Sequence, residues 1–243
     1  MEVKEKGENA EQRRSFFKAS ASYPTESKVL QVNGSDVFVL GGTVPSLVAR
    51  EYDVMESCIR VNIRTGLIDF MAPMKHGRYN HTACFIYGHV YVIGGENKNY
   101  EAELSCERYS IANNNWRDLP CDFDEFASNA TVAVIGNRHL YAFGGHDFQN
   151  NFPTSQLIRH LDTHKMGNGW WVMSLKDPLK RASHSCAVIN DTDGGLLLVG
   201  GFNRRSSVDL TQSFTTNPND FFLSSKLQPP GANLCRPDHF RQN

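Results

Sequence analysis

The chain lacks the features that would place it in a membrane or on nucleic acid. No segment reaches the run of about 18 apolar residues that a membrane-spanning helix needs. Its 243 residues carry a net charge of −1, so no excess of positive charge attracts nucleic acid or an anionic membrane. The opening residues, MEVKEKGENAEQRRSF, contain no apolar stretch typical of a secretory signal. We therefore expect no membrane insertion, no secretion and no nucleic-acid partner.

Cysteine is present but not in the spacing of a metal or redox motif. None of the six cysteines forms a Cys-x-x-Cys pair. Two of them fall inside corresponding apolar runs, where a thiol acts as a small core residue. We predict reduced thiols in a cytosolic compartment, with a disulfide framework as the alternative. The six are Cys58, Cys84, Cys106, Cys121, Cys186 and Cys235.

The motifs of common catalytic sites are also missing. The sequence contains neither a phosphate-binding glycine loop nor a Gly-x-Ser-x-Gly elbow. The segment DTDGG at 191–195 resembles the start of a calcium loop, but no glutamate follows at the required position, so we interpret it as a hairpin turn. Closely spaced histidines lack obvious co-ligands. We predict no catalytic residue, no metal and no cofactor.

Glycine, by contrast, is placed with regularity. Four Gly-Gly doublets each follow a short apolar run, and their first glycines are 53, 50 and 56 residues apart. Self-similarity with a period of about 50 residues is typical of radial repeat proteins. It predicts repeated small sheets rather than one continuous sheet. The doublets are Gly41-Gly42, Gly94-Gly95, Gly144-Gly145 and Gly200-Gly201.

The second repeat shows the full pattern. Arg78 and His81 open it, two apolar runs follow with a Tyr-Gly-His turn between them, and the second run ends at its glycine doublet. Tyr109 and Trp116 come later, seven residues apart. This order of apolar runs and turns predicts four short antiparallel strands per repeat.

The other repeats keep parts of this pattern. The third lacks the Arg/His pair and ends in two tryptophans, and the first carries aliphatic residues where the aromatics are expected. The fourth keeps the Arg/His pair and two aromatics seven residues apart. The residues concerned are Trp170 and Trp171, Val61 and Ile68, and Arg181, His184, Phe214 and Phe221.

The combined pattern resembles the kelch repeat over residues 27 to about 235. The resemblance implies an all-β fold, a kelch-type β-propeller with four recognisable four-stranded blades and the start of a fifth, in a ring that is incomplete or closed. It also implies that Tyr109 and Trp116 pack between neighbouring blades.

Three segments are predicted along the chain. Residues 1–26 form a polar segment, helical or disordered and too short for the BTB or F-box domains often joined to kelch propellers. Residues 27–230 form the blades, and 231–243 begin a further blade or a tail. The blades are expected at 27–74, 75–122, 123–177 and 178–230.

The number of blades leaves three interpretations open. Arg236 and His239 repeat the Arg-x-x-His that opens two of the blades, but kelch-like rings usually have five to seven. The sequence is a fragment, an arc completed by another protein, or a closed ring of four. We favour an incomplete or partner-completed ring, because four blades are few for a kelch-like ring. Such an arc leaves exposed strand edges, which recruit other chains. Light scattering is then expected to show association rather than a closed monomer.

The loops between the second and third strands are the candidate binding surface. Loops held by a rigid scaffold carry function, and these four differ in sequence. Exposed aromatics and arginines among them are the residue types that most often anchor protein partners. The candidates are Arg50, Tyr52, Asn97, Tyr100, Phe148, Asn150, Phe152, Phe202, Arg204 and Arg205.

We predict a non-catalytic scaffold or adaptor that binds another protein through these loops, within a larger cytoplasmic assembly that is cytoskeletal or ciliary. Two alternatives stay open. One is a kelch-like enzyme with its site at the central channel, and the other is the substrate-recognition subunit of a ubiquitin ligase. A docked protein would favour the scaffold, whereas a bound metal at the channel would favour the enzyme.

The aromatic alignment generates the first testable prediction. Trp116→Ala should lower the free energy of unfolding by about 3–5 kcal/mol, because it truncates a large side chain between two blades. Denaturant melts of the two proteins measure this difference. A loss below about 1 kcal/mol would mean that Trp116 is exposed and the alignment wrong.

Overall fold

A computed structural model describes residues 24–46, 52–124, 127–147, 155, 157–174, 182–183, 185–190, 195–203, 206–207 and 211–215. These residues form strands and one short 3₁₀ helix. No helix within them has the length and apolar character to cross a bilayer. The first strands are β1 (Lys28–Gln31), β2 (Asp36–Leu40), β3 (Thr43–Pro45), β4 (Tyr52–Val54), β5 (Cys58–Asn62) and β6 (Ile68–Phe70).

Three further groups of strands follow. The second group is β7 (Thr82–Ile86), β8 (His89–Ile93), β9 (Cys106–Ser110) and β10 (Asn115–Asp118). The third is β11 (Ser128–Ile135), β12 (His139–His146), β13 (Leu157–Asp162) and β14 (Trp171–Ser174), with the 3₁₀ turn Met166–Asn168 before its last strand. The fourth is β15 (Ser185–Asn190), β16 (Gly195–Val199), β17 (Phe202–Asn203), β18 (Ser206–Ser207) and β19 (Thr211–Thr215).

The strands pair into a series of antiparallel meanders. The first three sheets have four strands each, in the orders β1-β2-β5-β6, β7-β8-β9-β10 and β11-β12-β13-β14. The described part of the fourth sheet is β15-β16-β19. Two small hairpins, β3-β4 and β17-β18, lie in the connections after β2 and β16. The predicted all-β fold of repeated blades is confirmed, and β2, β8, β12 and β16 are the predicted equivalent second strands.

The strand registers confirm that the sheets are copies of one unit. In the second sheet Val90 pairs with Tyr109, which pairs with Trp116. In the first sheet Val37, Val61 and Ile68 pair across the same three strands. The substitution of aliphatic for aromatic residues in the first repeat therefore leaves the register unchanged. In the fourth sheet Leu196 pairs with Phe214.

The core lies between the sheets, in three separate layers. The inner strands β1, β7, β11 and β15 contact one another in that order. In the first layer, Phe38 and Leu40 of the first sheet pack with Tyr109 and Trp116 of the second sheet. The next layer joins the second and third sheets and includes Trp170, which is fully buried. The last joins the third and fourth sheets.

Trp116 is held by packing and by a hydrogen bond. Its ring centroid lies 5.0 Å from that of Tyr109, and only 6% of the residue is exposed. The indole Nε1–H donates to the carbonyl oxygen of Ala72 at 2.8 Å. The indole N–H therefore has a hydrogen-bond partner while the apolar ring is buried, as is usual for a tryptophan in a core.

The first two glycine doublets lie where the backbones of adjacent sheets meet. Gly94 has a φ of 64°, and a Cβ at this position would lie 2.6 Å from the carbonyl oxygen of Ala127, at the entry to the third sheet. Gly95 donates its N–H to that same oxygen at 3.0 Å. The equivalent Gly42 donates to Arg78 O at 2.9 Å. These two doublets are therefore required by both conformation and space.

Three of the cysteines behave as small core residues. Cys58 and Cys84 are buried in different layers between the sheets, and Cys186 packs at the edge of the third. Burial raises the pKa of Cys58 and of Cys186 to about 12. Burial also raises the pKa of Cys84. These thiols are therefore protonated and unreactive at neutral pH.

A comparison of two glycines tests the role of the doublets. Gly94→Ala should lower the free energy of unfolding by about 2–5 kcal/mol, since it combines left-handed backbone strain with a clash against the backbone of the next sheet. Gly136→Ala is the matched control, because Gly136 has a similar φ of 58° and a Cβ there meets no described atom within 4 Å.

The control should cost only about 1–2 kcal/mol, the strain alone. Chemical denaturation of both variants measures the difference. Equal losses would show that close approach between sheets does not explain the doublet.

Candidate functional site

One end of the sheets carries the loops that were predicted to bind partners. The second strands β2, β8, β12 and β16 all end at this side in their glycine doublets, and we call it the doublet face. The inner strands begin at the same side, since Lys28 at the start of β1 pairs with Leu40 at the end of β2. The doublet face therefore combines the entries of inner strands with the loops after the doublets.

A groove of about 630 Å³ crosses the doublet face between the first and second sheets. We call it the tyrosine groove, because it is lined by Tyr52 of β4 and by Tyr100 of the loop after β8, with 61% and 54% of their surfaces exposed. Asn97 and Lys98 lie beside Tyr100. Two exposed aromatics next to polar side chains form a surface of the kind that anchors proteins.

The floor of the tyrosine groove is a buried carboxylate. Glu96 directly follows the second doublet and is fully buried. It accepts hydrogen bonds from the Tyr79 hydroxyl at 2.8 Å, from Asn80 Nδ2 at 3.1 Å and from the Ser128 hydroxyl. Burial and the bond to Glu96 raise the pKa of the Tyr79 hydroxyl. Because Ser128 belongs to β11, this network also ties the second sheet to the third.

Four residues at the inner edge of the doublet face share an unusual backbone conformation. Each has a φ between 52° and 56°, lies at or just before the start of an inner strand, and is not glycine. Asn129 N donates to Asn80 O at 2.8 Å, and Ser183 N donates to Asn129 O at 3.0 Å, so neighbouring sheets are joined here. The four residues are Glu26, Asn80, Asn129 and Ser183.

The repeat arginine Arg78 fixes the loop beneath the groove. Its guanidinium is fully buried, 2.8 Å from the Gly94 carbonyl oxygen and 2.7 Å from that of Ser105. It also forms an ion pair with Glu107 at 2.8 Å, where both side chains have no exposure. Such a pair is costly to break, because either partner alone would be an uncompensated buried charge.

The third sheet contains an equivalent buried ion pair in which the two charges exchange positions. Arg159 on the third strand is fully buried and donates through Nε to Asp124 at 2.7 Å. Its guanidinium lies 5.4 Å from the centre of the Phe123 ring. In the second sheet the arginine precedes the inner strand and the acid is on the third strand. In the third sheet the acid, Asp124, precedes the inner strand and the arginine is on the third strand. Because that repeat lacks the Arg/His pair, the sequence analysis did not predict this ion pair.

The repeat histidine His81 fills the space between two doublets. A Cβ at Gly95 would lie 2.8 Å from the Cβ of His81, and one at Gly41 would lie 2.9 Å from its Cε1. Burial lowers the pKa of His81 to about 3, and nearby Arg78 acts in the same direction. His81 is therefore a neutral packing residue at neutral pH.

The structure brings together three of the ten predicted binding residues. Tyr52, Asn97 and Tyr100 line one groove although they belong to different repeats. Phe202 begins β17. Outside the described residues lie Arg50, Phe148, Asn150, Phe152, Arg204 and Arg205, and also Arg181, His184 and Phe221 of the repeat pattern.

Sequence reasoning missed the residues that build the floor and inner edge of the face. Asparagine tolerates a positive φ, which was an available signal at Asn80 and Asn129. Glu26 and Ser183 carried no such signal. Glu96 follows a doublet, but Thr43 and His146 occupy the same place in other repeats, so no shared residue type marked it.

These sheets, with their common register and doublets, define a protein built from propeller-type blades. The Kelch motif matches residues 77–121. A protein of Arabidopsis thaliana named for an F-box and kelch repeats is 32% identical over 125 residues, 49% of this chain. The Kelch-like protein terF of Aspergillus terreus is 28% identical over 216 residues, 85% of this chain. The chain thus contains a Kelch motif and has distant relatives that are kelch-repeat proteins, as the doublet pattern predicted.

The similarity covers less of the relatives than of this chain. The matched part is 30% of the Arabidopsis protein and 46% of the Aspergillus protein. The chain therefore spans less than half the length of these relatives.

The buried histidine generates a prediction on pH. In the unfolded chain His81 takes up a proton near its ordinary pKa of 6.5, whereas the folded protein resists protonation down to about pH 3. Between these values the unfolded state binds more protons, so stability falls as the pH is lowered from about 6.5. The slope from this residue is at most about 1.4 kcal/mol per pH unit.

Denaturant melts at several pH values between 7 and 4 measure this slope. His81→Gln should reduce it, and His89→Gln, at the first residue of β8, serves as the control. An unchanged slope in His81→Gln would contradict the proposed burial of a neutral imidazole.

Proposed function

We propose that this kelch-repeat chain is a non-catalytic module that binds a protein partner in the tyrosine groove. The observation that carries the proposal is the exposure of Tyr52 and Tyr100, which come from different repeats and line one groove. Tyrosine contributes a large contact area at a small cost in side-chain entropy, so it is frequent among residues that dominate interfaces.

The groove suits a segment of a partner rather than a flat surface. It extends from the inner edge, at Glu26 and Asn80, to the loops that carry the two tyrosines. Its walls combine apolar rings with amide and carboxylate groups, which provide hydrogen bonds for the backbone of an inserted peptide. An exposed loop or extended tail of another protein matches these features.

The described polar groups of this face support a binding role over catalysis. The Glu96 carboxylate is engaged by three donors that hold two sheets together, and the Arg78–Glu107 pair is engaged within one sheet. These groups have a structural task already. The buried, protonated thiols are compatible with a reducing cytoplasm, where we place the protein. The assembly that we propose is cytoskeletal or ciliary, and the identity of the partner distinguishes these two.

A second candidate function rests on the Arabidopsis relative, which is named for an F-box as well as kelch repeats. In this alternative the same groove recognises a protein destined for ubiquitination. The two functions differ in the fate of the partner. A scaffold leaves the amount of bound partner unchanged, whereas a ligase subunit lowers it in a proteasome-dependent way.

Replacement of the two tyrosines tests the groove. Tyr52→Asn together with Tyr100→Asn should weaken partner binding at least tenfold, about 1.4 kcal/mol or more, because both aromatic anchors are removed. Asparagine is used because Tyr100 has a φ of 61°, which asparagine tolerates. Quantitative pull-down identifies the partner, and titration calorimetry with the purified partner measures the change.

Tyr87→Asn is the matched control. Tyr87 is 69% exposed and has a φ of 43°, but it lies in the turn between β7 and β8, at the opposite end of the sheets from the doublet face. Its replacement should leave binding unchanged. If the double variant binds as well as the wild type, the partner uses another surface.

A further inference from the structure

The tyrosine groove is part of a surface on which carboxylates outnumber lysines. It continues into a second hollow of about 380 Å³, which shares Val54, Asn97 and Lys98 with it. Four carboxylates line the two cavities, together with two lysines and one histidine. Of these, Lys75 and His76 both lie beside a further carboxylate, that of Asp118. The four lining carboxylates belong to Glu26, Glu56, Glu96 and Glu103.

These four carboxylates have no cationic partner among the described residues. Glu96 accepts its three hydrogen bonds from neutral donors. Glu26 accepts a hydrogen bond from the Thr43 hydroxyl at 3.4 Å, and Glu103 accepts one from a backbone N–H at 3.0 Å. Within the part of the chain that the structure describes, neither these three nor Glu56 forms an ion pair. A surface of this kind attracts a positively charged partner.

Of the two carboxylates that line the tyrosine groove itself, Glu26 is the accessible one. Glu96 is fully buried at the floor, whereas Glu26 is exposed at the inner edge. Burial and the hydrogen bond to Glu96 are the main causes that raise the pKa of the Tyr79 hydroxyl, and the charges of Glu26 and Tyr100 act in the same direction. Glu26 and Tyr100 therefore both lie near this hydroxyl. An exposed carboxylate and an exposed aromatic ring border the same space.

The repeat does not explain the negative charge of Glu26. The residues at the equivalent places, Asn80, Asn129 and Ser183, are all neutral. All four have a positive φ, a conformation to which asparagine is better suited than glutamate. Neither the repeat nor the backbone therefore accounts for a glutamate here, which favours a role for its charge.

We propose that the partner segment in the tyrosine groove is basic, and that one of its arginine side chains lies against the ring of Tyr100 and donates to the Glu26 carboxylate. This assignment rests on the protein-binding function proposed above for the groove. A guanidinium stacks on an aromatic ring through its flat face while its N–H groups donate to a carboxylate, so one arginine uses both features. The other carboxylates attract the remaining basic residues of the segment.

Selection of short random peptides displayed on phage, with the purified chain as the target, tests the chemistry of the ligand. The wild type should enrich peptides that contain arginine or lysine and lack aspartate and glutamate, because like charges repel at this surface. The same selection against the Tyr52→Asn and Tyr100→Asn double variant should lose these peptides. The composition of the wild-type peptides is informative whether or not any variant folds.

Glu26→Asn tests the contact with arginine. Asparagine occupies the equivalent place in the second and third repeats, so this variant removes the charge and keeps a residue suited to the positive φ. In fluorescence anisotropy titrations with an enriched arginine peptide, Glu26→Asn should weaken binding about fivefold or more. The same peptide with glutamine in place of arginine should bind the wild type and Glu26→Asn alike.

Asp53→Asn is the matched control. Asp53 is exposed on the hairpin β3-β4, next to Tyr52, but it is not among the residues that line the tyrosine groove. Its replacement removes the same charge from the same face and should change the affinity by less than about twofold. Melts that match the wild type show that a loss of binding in any variant is not a loss of folding.

Two results would overturn the basic ligand and leave the groove as a binding site. One is a set of enriched peptides that depend on the tyrosines but lack basic residues. The other is an arginine peptide whose affinity Glu26→Asn changes no more than Asp53→Asn does. A selection that yields no peptide dependent on the tyrosines would instead contradict the proposed function, and the basic ligand with it.

Discussion

The fold depends on the close approach of the first two glycine doublets to the backbone of the next sheet. The N–H groups of Gly42 and Gly95 donate to carbonyl oxygens at the entries of the second and third sheets, at 2.9 and 3.0 Å. A side chain at Gly94 would collide with that entry. Because the sheets meet here, their apolar sides face each other and the loops after the doublets converge on one face. The layers of core and the tyrosine groove both follow from this contact.

The buried ion pairs show which feature of the repeat is constrained. Arg78 with Glu107 and Arg159 with Asp124 occupy matching places with opposite charges. Since burial of one charge requires its partner, the constraint acts on the pair and not on either residue type. The first sheet has Ile59 at the place of Glu107 and packs without such a pair. A repeat can therefore lose its charges only if both are lost or exchanged together.

The sequence predicted the features that depend on one residue type and missed those that depend on geometry. The doublets predicted β2, β8, β12 and β16, because glycine readily adopts the positive φ that each doublet has. At the first two doublets, a close backbone also leaves no room for a side chain. The spacing of Tyr109 and Trp116 predicted their common layer. The positive φ shared by Glu26 and Ser183 could not be predicted from the sequence, since neither residue type favours this conformation and their side chains have nothing in common. The tyrosine groove was also invisible as a unit, because two loops of unlike sequence form it.

The repeat explains the packed sides of the sheets but not the tyrosine groove. The tyrosine groove lies at the ends of the strands, where loop sequences vary without effect on the register. The repeat therefore imposes no requirement for an aromatic residue at Tyr52 or at Tyr100. Since no layer of the core explains these two tyrosines, recognition of a partner is the better explanation for them.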